Sequence, residues 1–149
     1  MEGADHTPRM ADAGNDAAFR AKCQAVIARR NLARASNDTR WNALITHMRQ
    51  REGWQPSYRS KSIFGDISGW DVEWFAHLPF PFASVEWFDI GLHELLPRKG
   101  MLLPEEVADH TGDITSVLRT IGFEFEVAGD VVGIWGYWPK CRDDFPPQS

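Results

Sequence analysis

The tetrapeptide Val-Glu-Trp-Phe occurs twice in the segment Trp70–Ile90 (WDVEWFAHLPFPFASVEWFDI), at 72–75 and again at 85–88. Read at the two-residue period of a strand, each copy sends Trp to one side and Glu with Phe to the other. Pro79-Phe80-Pro81-Phe82 lies between the copies and predicts a hairpin connection. Leu78 then pairs with Ala83, and the register sets Trp74 opposite Trp87. On the other side Glu73 faces Phe88 and Phe75 faces Glu86. A sheet with one tryptophan face and one face of carboxylates and aromatics is therefore expected.

The flanking sequence supplies helices and a second hairpin. Asp16 can cap a helix running to about Ala35, with Phe19, Cys23, Val26 and Ile27 on one stripe. Asn37 or Asp38 caps a stronger helix, in which Trp41, Leu44, Ile45 and Met48 fall at helical spacing and Gly53 follows the end. Residues 56–63 (PSYRSKSI) read as an edge strand, since Pro56, Arg59 and Lys61 resist further pairing. Residues 91–103 read as a loop with a short turn at 92–95, and Pro104 as the start of a brief helical turn. A third helix spans Asp113 to Ile121 and stops at Gly122. FEFEV alternates, Gly129-Asp130 supplies a two-residue turn, and VVGIWGY returns with Ala128 opposite Val131.

The resulting order is ααβββαββ. It predicts an α+β fold: an antiparallel sheet of about five strands with helices packed on one face, covering Trp70, Val72, Trp74, Trp87 and Phe125. Residues 1–15 read as a disordered tail, 16–138 as one domain and 139–149 as a loose tail. With no apolar run near a membrane span and no secretory signal, a soluble cytoplasmic protein is expected. Cys23 and Cys141 lie far apart without CxxC spacing, which supports neither zinc nor a disulfide framework.

Charge divides the chain. Residues 1–62 carry 11 basic and 6 acidic side chains, and residues 63–149 carry 5 and 15, within a net −5. The acidic half repels phosphates, so nucleic acid is an unlikely partner, although the arginines of the first half leave that route open there. A basic protein partner is favoured, because complementary fields speed encounter.

The blocks Trp41-Asn42-x-Leu44, Trp70-Asp71-x-Glu73-Trp74, Val85-Glu86-Trp87 and Ile121-Gly122-Phe123-x-x-Glu126-Val127-x-Gly129-Asp130-Val131 resemble a family of small, uncharacterised bacterial proteins known only as a domain of unknown function. The resemblance covers roughly residues 38–138, leaving the first helix and both tails outside. It implies a bacterial or phage origin and one compact domain, and carries over no catalytic residue. The small, acidic, tryptophan-rich character is similar to that of immunity proteins that neutralise toxins, an analogy of general character.

Two candidate sites follow. One is the sheet face away from the helices, built from Glu73, Phe75, Glu86, Phe88, Glu124, Glu126, Trp135 and Tyr137, where aromatics give binding area and carboxylates take arginine bidentately. The first helix, a loop or a homodimer mate could equally cover it. The other is a small metal-dependent hydrolase site using Asp71, Glu73 and His77, which project from one face of a strand, with Glu86, Asp89, His93 and Glu94 nearby. No HExxH, paired CxxC or DxDxDG element accompanies them, and such alternation is ordinarily a strand's wet side. The serine of Gly65-Asp66-Ile67-Ser68-Gly69 misses the nucleophile-elbow position by one residue, and Cys23 on an apolar stripe reads as packing. His47 and His110 read as exposed, and Trp41, Trp70, Trp74 and Trp87 as core. The expected function is a non-catalytic binding protein, of immunity or inhibitor type, that engages a basic toxin or effector without a cofactor or metal.

Overall fold

Capping residues set the helix boundaries in the computed structural model, which describes residues 8–96 and 106–140. The first helix, α1, spans Ala17–Arg30, and the Asp16 carboxylate accepts the Phe19 N–H at its start. After the two-residue strand β1 (Ala33–Arg34), α2 spans Asp38–Gln50 with Asn37 accepting the Arg40 N–H. Strand β2 (Tyr58–Ser62) leads through a long loop and a short 3-10 turn (Phe82–Ser84) into β3 (Val85–Gly91). Then come β4 (His93–Leu96), β5 (Glu106–Asp109), α3 (Thr111–Ile121), β6 (Phe125–Ala128), β7 (Val131–Trp135) and β8 (Tyr137–Trp138). Gly122 ends α3 in the left-handed region at φ 105°.

The fold class is α+β with antiparallel sheets, as the sequence predicts. The detailed order differs. Four strands form the main sheet in the order β2-β3-β7-β6, and β1-β8 and β4-β5 form separate pairs. The β6–β7 hairpin has the expected register, with Ala128 opposite Val131. Residues 91–96, read as loop and turn, instead complete β3 and form β4, while the expected helical turn at Pro104 begins outside the described residues and continues at Glu106 as strand.

The predicted Trp70–Ile90 hairpin is the main correction. Residues 70–78 are not a strand, and β3 pairs instead with β2 and β7, setting Trp87 opposite Lys61 and Trp135. Carboxylate caps within 71–77 satisfy backbone N–H groups that a ladder would otherwise use, so local hydrogen bonding overrides the alternating pattern. Trp74 and Trp87 are both buried, but in different clusters.

One core lies between the sheet and α2 with α3. The Trp41 ring sits 5.0–5.7 Å from Phe82, Phe88 and Phe123, and Tyr58 stacks on Phe88 at 5.5 Å. Helix α1 does not join this core. Its Cys23 and Val26 pack with Ile63 and Tyr137 in a second cluster, and Trp87 with Trp135 form a third under Ala35 and Trp138. The helices therefore do not share one packing face.

A β-bulge joins α1 to the sheet. Between Lys61 and Ser62 the register jumps from Trp87 to Val85, leaving Glu86 as the extra residue. The buried Glu86 carboxylate takes both terminal nitrogens of Arg30, at 2.8 and 2.9 Å, and Arg30 also donates to the Ile63 carbonyl. Gly136 closes the other side, donating to the Glu86 carbonyl; a Cβ there would fall 2.0 Å from the Val85 oxygen.

The N-terminal boundary also moves. Residues 8–15, read as part of a disordered tail, are built into the fold, whereas 1–7 and 141–149 lie outside the described residues. Ala11 is fully buried; its N–H donates to the Asn42 side chain, and its carbonyl accepts from Phe82. Deleting residues 1–15 should therefore lower the melting temperature measurably, because it uncovers core beside Phe82. An unchanged melting curve would show this packing to be dispensable. Arg30→Met should cost about 3 kcal/mol by leaving Glu86 buried and unpaired, and Arg30→Met with Glu86→Met should recover a large part of that. Urea unfolding of the three variants measures both figures.

Candidate functional site in the 64–79 loop

Residues 66–71 run back along the outer edge of β2 without forming a strand. Ile67 bridges Lys61, and Asp71 bridges Tyr58. Between these bridges, Ser68 accepts the Ser60 N–H with its hydroxyl and donates its own N–H to the Ser60 carbonyl. Gly65, at φ 106°, makes the reversal that starts this return.

Two carboxylates then lock the chain. One Asp71 oxygen accepts the N–H groups of Val72 and Glu73, and one Glu73 oxygen accepts those of Phe75, Ala76 and His77 at 2.6, 2.7 and 3.2 Å. The Tyr58 hydroxyl donates to the Glu73 carbonyl, and the Trp74 indole N–H to the Pro56 carbonyl. Backbone donation from Glu73 holds the Asp71 carboxyl below its usual range. At Glu73, partial desolvation acts the other way and is outweighed by the three N–H bonds, so its value is also lowered.

This lock turns Trp74 inward and leaves its neighbours outside. Five of the eight exposed large hydrophobic side chains among the described residues lie here: Phe64, Ile67, Trp70, Val72 and Phe75. Trp70 and Val72, expected in the core, are 46% and 61% exposed. His77 Nδ1 lies 2.9 Å from the second Asp71 oxygen, and the pair borders a cleft of about 290 Å³ that also contains Ser60 and Ser68. Trp70 stands between this cleft and another of about 320 Å³, bounded by Ser57, Gly91, His93 and Asp130.

Beneath Trp70 lies Arg59, whose guanidinium carbon is 5.3 Å from the Trp70 ring and 5.4 Å from the Trp87 ring. Its Nε donates to Asp89 at 3.2 Å. Asp89 is fully buried, and its other oxygen has no hydrogen-bond partner among the described residues. Burial, only partly offset by Arg59, pushes the Asp89 carboxyl from 3.8 up to about 7.

The eight residues expected on one binding face do not form it. Glu86, Phe88, Trp135 and Tyr137 are buried: Glu86 holds Arg30, Phe88 fills the main core, Trp135 packs with Trp87, and the Tyr137 hydroxyl donates to the Ala83 carbonyl. Glu126 pairs with Lys140 at 2.9 Å, while Glu124 is exposed. Only Glu73 and Phe75 belong to the loop surface. Strand β3 is covered on both faces, so its alternation does not separate a wet side from a dry one.

The metal-site expectation also changes. Asp71 and His77 do meet, but the capping oxygen of Glu73 is engaged with three backbone N–H groups. Among the described residues no group of three or more His, Cys, Asp or Glu side chains is arranged to hold a metal ion. His110, expected to be exposed, is half-buried, stacked on Trp54 at 4.1 Å and bonded to Glu94. Cys23 is buried as expected for packing, which pushes its thiol up. No helix among the described residues is long and apolar enough to cross a membrane.

A model for a family of unknown function, DUF6678, matches residues 23–141. The match takes in the latter part of α1, which the motif resemblance left outside. No curated protein and no solved structure matches the chain.

Asp89 makes stability depend on pH in a defined direction. The folded chain holds this proton more tightly than the unfolded chain. Its stabilisation is thus full below pH 3.8 and is lost as pH rises to about 7. Asp89→Asn cannot ionise, so its melting temperature relative to wild type should rise between about pH 4 and about pH 7 and level off above that. A pH-independent difference would place the Asp89 proton elsewhere.

Proposed function

The chain belongs to the DUF6678 family, a family of unknown function, and we propose that it is a non-catalytic binding protein whose recognition surface is the 64–75 loop. The observation that carries this reading is the grouping of Phe64, Ile67, Trp70, Val72 and Phe75 on one carboxylate-locked segment. Adjoining exposed apolar side chains with a polar surround are what protein interfaces use. Because the loop is held by its own caps, association need not first order it.

A basic protein partner fits the net −5, the exposed Asp66 within the loop and the exposed Asp130 beside Trp70. In its specific form this reading is an immunity or inhibitor protein acting in the cytoplasm on a basic toxin or effector. The binding surface moves from the sheet face to the loop, and a homodimer mate becomes an alternative occupant of the same side chains.

One observation favours a second reading. Asp71 fixes Nδ1 of His77, which leaves Nε2 for proton transfer beside the Ser60–Ser68 cleft. That acid–base role, rather than a metal-dependent hydrolase, would take precedence if the purified chain turned over a substrate in a His77-dependent way.

A photo-crosslinking residue at position 72, in cells that express the chain naturally, should form one discrete protein adduct. The same residue at position 127, an exposed site on β6, should not. Ile67→Asp should abolish the adduct while changing stability by no more than about 0.5 kcal/mol, as expected of an exposed site. Absence of an adduct from position 72 would remove the loop from the recognition surface.

A further inference from the structure

The geometry points to the cleft between Trp70 and Asp130 as a socket for one arginine side chain of the protein partner. This inference rests on the binding reading and names the chemical group that the surface would take. The cleft, about 320 Å³, is at the low end of ligand cavities, roughly 300–1,000 Å³, and suits a single long side chain rather than a helix.

Its walls are complementary to a guanidinium. Its lining includes Trp70, which is 46% exposed, and the acidic Asp130. Asp130 is exposed and makes no ion pair among the described residues, unlike Glu86, Asp89 and Asp113, which each hold an arginine. A planar guanidinium can stack flat on the indole while directing two edge N–H groups at a carboxylate, whereas an ammonium makes both contacts only as a point charge, without the flat stacking or the bidentate fork. The protein already uses this combination internally, because Arg59 lies over Trp70 and Trp87 while donating to Asp89. Arg59 has a partner of its own in Asp89, to which its Nε donates.

The socket is built before anything enters it. The Asp130 carbonyl accepts the Leu92 N–H at 2.8 Å, and the Ser57 carbonyl accepts the Gly91 N–H at 2.9 Å, so both rims are tied to the end of β3. Gly91 and Ser57, both in the lining, approach closely: a Cβ on Gly91 would lie 2.6 Å from the Ser57 hydroxyl oxygen. His93, the other titratable group on the rim, is 3.6 Å from the Asp109 carboxylate, which gives it a partner of its own.

The test is an NMR titration of the isotope-labelled full chain with N-acetyl-arginine amide, and with the lysine and citrulline analogues. The arginine compound should shift the Trp70 indole N–H and the amides of Gly91, Leu92 and Val131 saturably. Lysine should act more weakly, and uncharged citrulline should leave these signals unmoved. Asp130→Asn and Trp70→Leu should each weaken the response about tenfold, as expected when a charge-assisted hydrogen bond or a stacking face is lost. Both positions are exposed, and an otherwise unchanged spectrum verifies the fold of each variant. An equal response to citrulline or lysine, no saturation, or undiminished binding by Asp130→Asn would overturn the socket. A crosslink from position 72 together with a null titration would remove the socket and leave the loop surface. Saturable arginine binding without any crosslink would uphold the guanidinium site and remove its assignment to a protein partner.

Discussion

Strand β3 has no solvent face, and most of the architecture follows from covering it twice. Phe88 and Ile90 go into the core under α2 and α3, while Trp87 and Asp89 point into the opposite layer. The Trp87–Trp135 cluster in that layer takes no side chain from a helix. The layer is assembled from short pieces: the Trp87–Trp135 pair, Ala35 and Trp138 over it, and Arg59 beneath Trp70. Lys140, 5.9 and 5.4 Å from the Trp135 and Trp138 rings, extends the cover while pairing with Glu126. The bulge at Glu86 and the side-chain-free Gly136 are local adjustments that let the chain pass from one arrangement to the other.

The division of charge along the sequence has an internal meaning. Arg30, Arg51 and Arg59 come from the basic first half, and their partners Glu86, Asp113 and Asp89 from the acidic second half. The imbalance is partly an instruction for how the halves assemble, with the long-range pairs at Glu86 and Asp89 sited on β3 itself. Such pairs specify geometry as much as they stabilise, since desolvation offsets much of their attraction. Charge left for outside partners is correspondingly smaller than the sequence count suggests.

Local signals were legible and long-range pairing was less so. Asp16 and Asn37 as caps, Gly122 as a stop and Gly129-Asp130 as a hairpin turn all act through residues within one turn, so the sequence suffices to place them. The edge character of β2 was equally readable from Pro56, Arg59 and Lys61. The repeated Val-Glu-Trp-Phe misled because identical tetrapeptides met different surroundings. In the first copy Glu73 found three backbone N–H groups; in the second Glu86 found Arg30. Of the candidate site, strand spacing would hold Asp71 and His77 about 20 Å apart, and it is the turn capped by Glu73 that brings them together; exposed Trp70 did not follow from the pattern either. A tryptophan is ordinarily read as core, and the Ser68-Gly69 turn directly before it was the available sign that the chain leaves the sheet there.

The return of residues 66–71 along β2 also determines how this side of the molecule can meet another chain. Tyr58 and Asp71 exchange both backbone hydrogen bonds, Ser62 donates to the Asp66 carbonyl, and Ser60 is paired with Ser68. The main-chain groups that an incoming strand would need are thus already occupied by the protein's own backbone and a serine hydroxyl. The sheet cannot grow from β2, which protects the fold from edge-to-edge association. A molecule approaching here meets the 66–71 segment and its side chains in place of an open β2 edge, so its recognition depends on their identity more than on the generic pairing that an open strand edge offers any extended peptide.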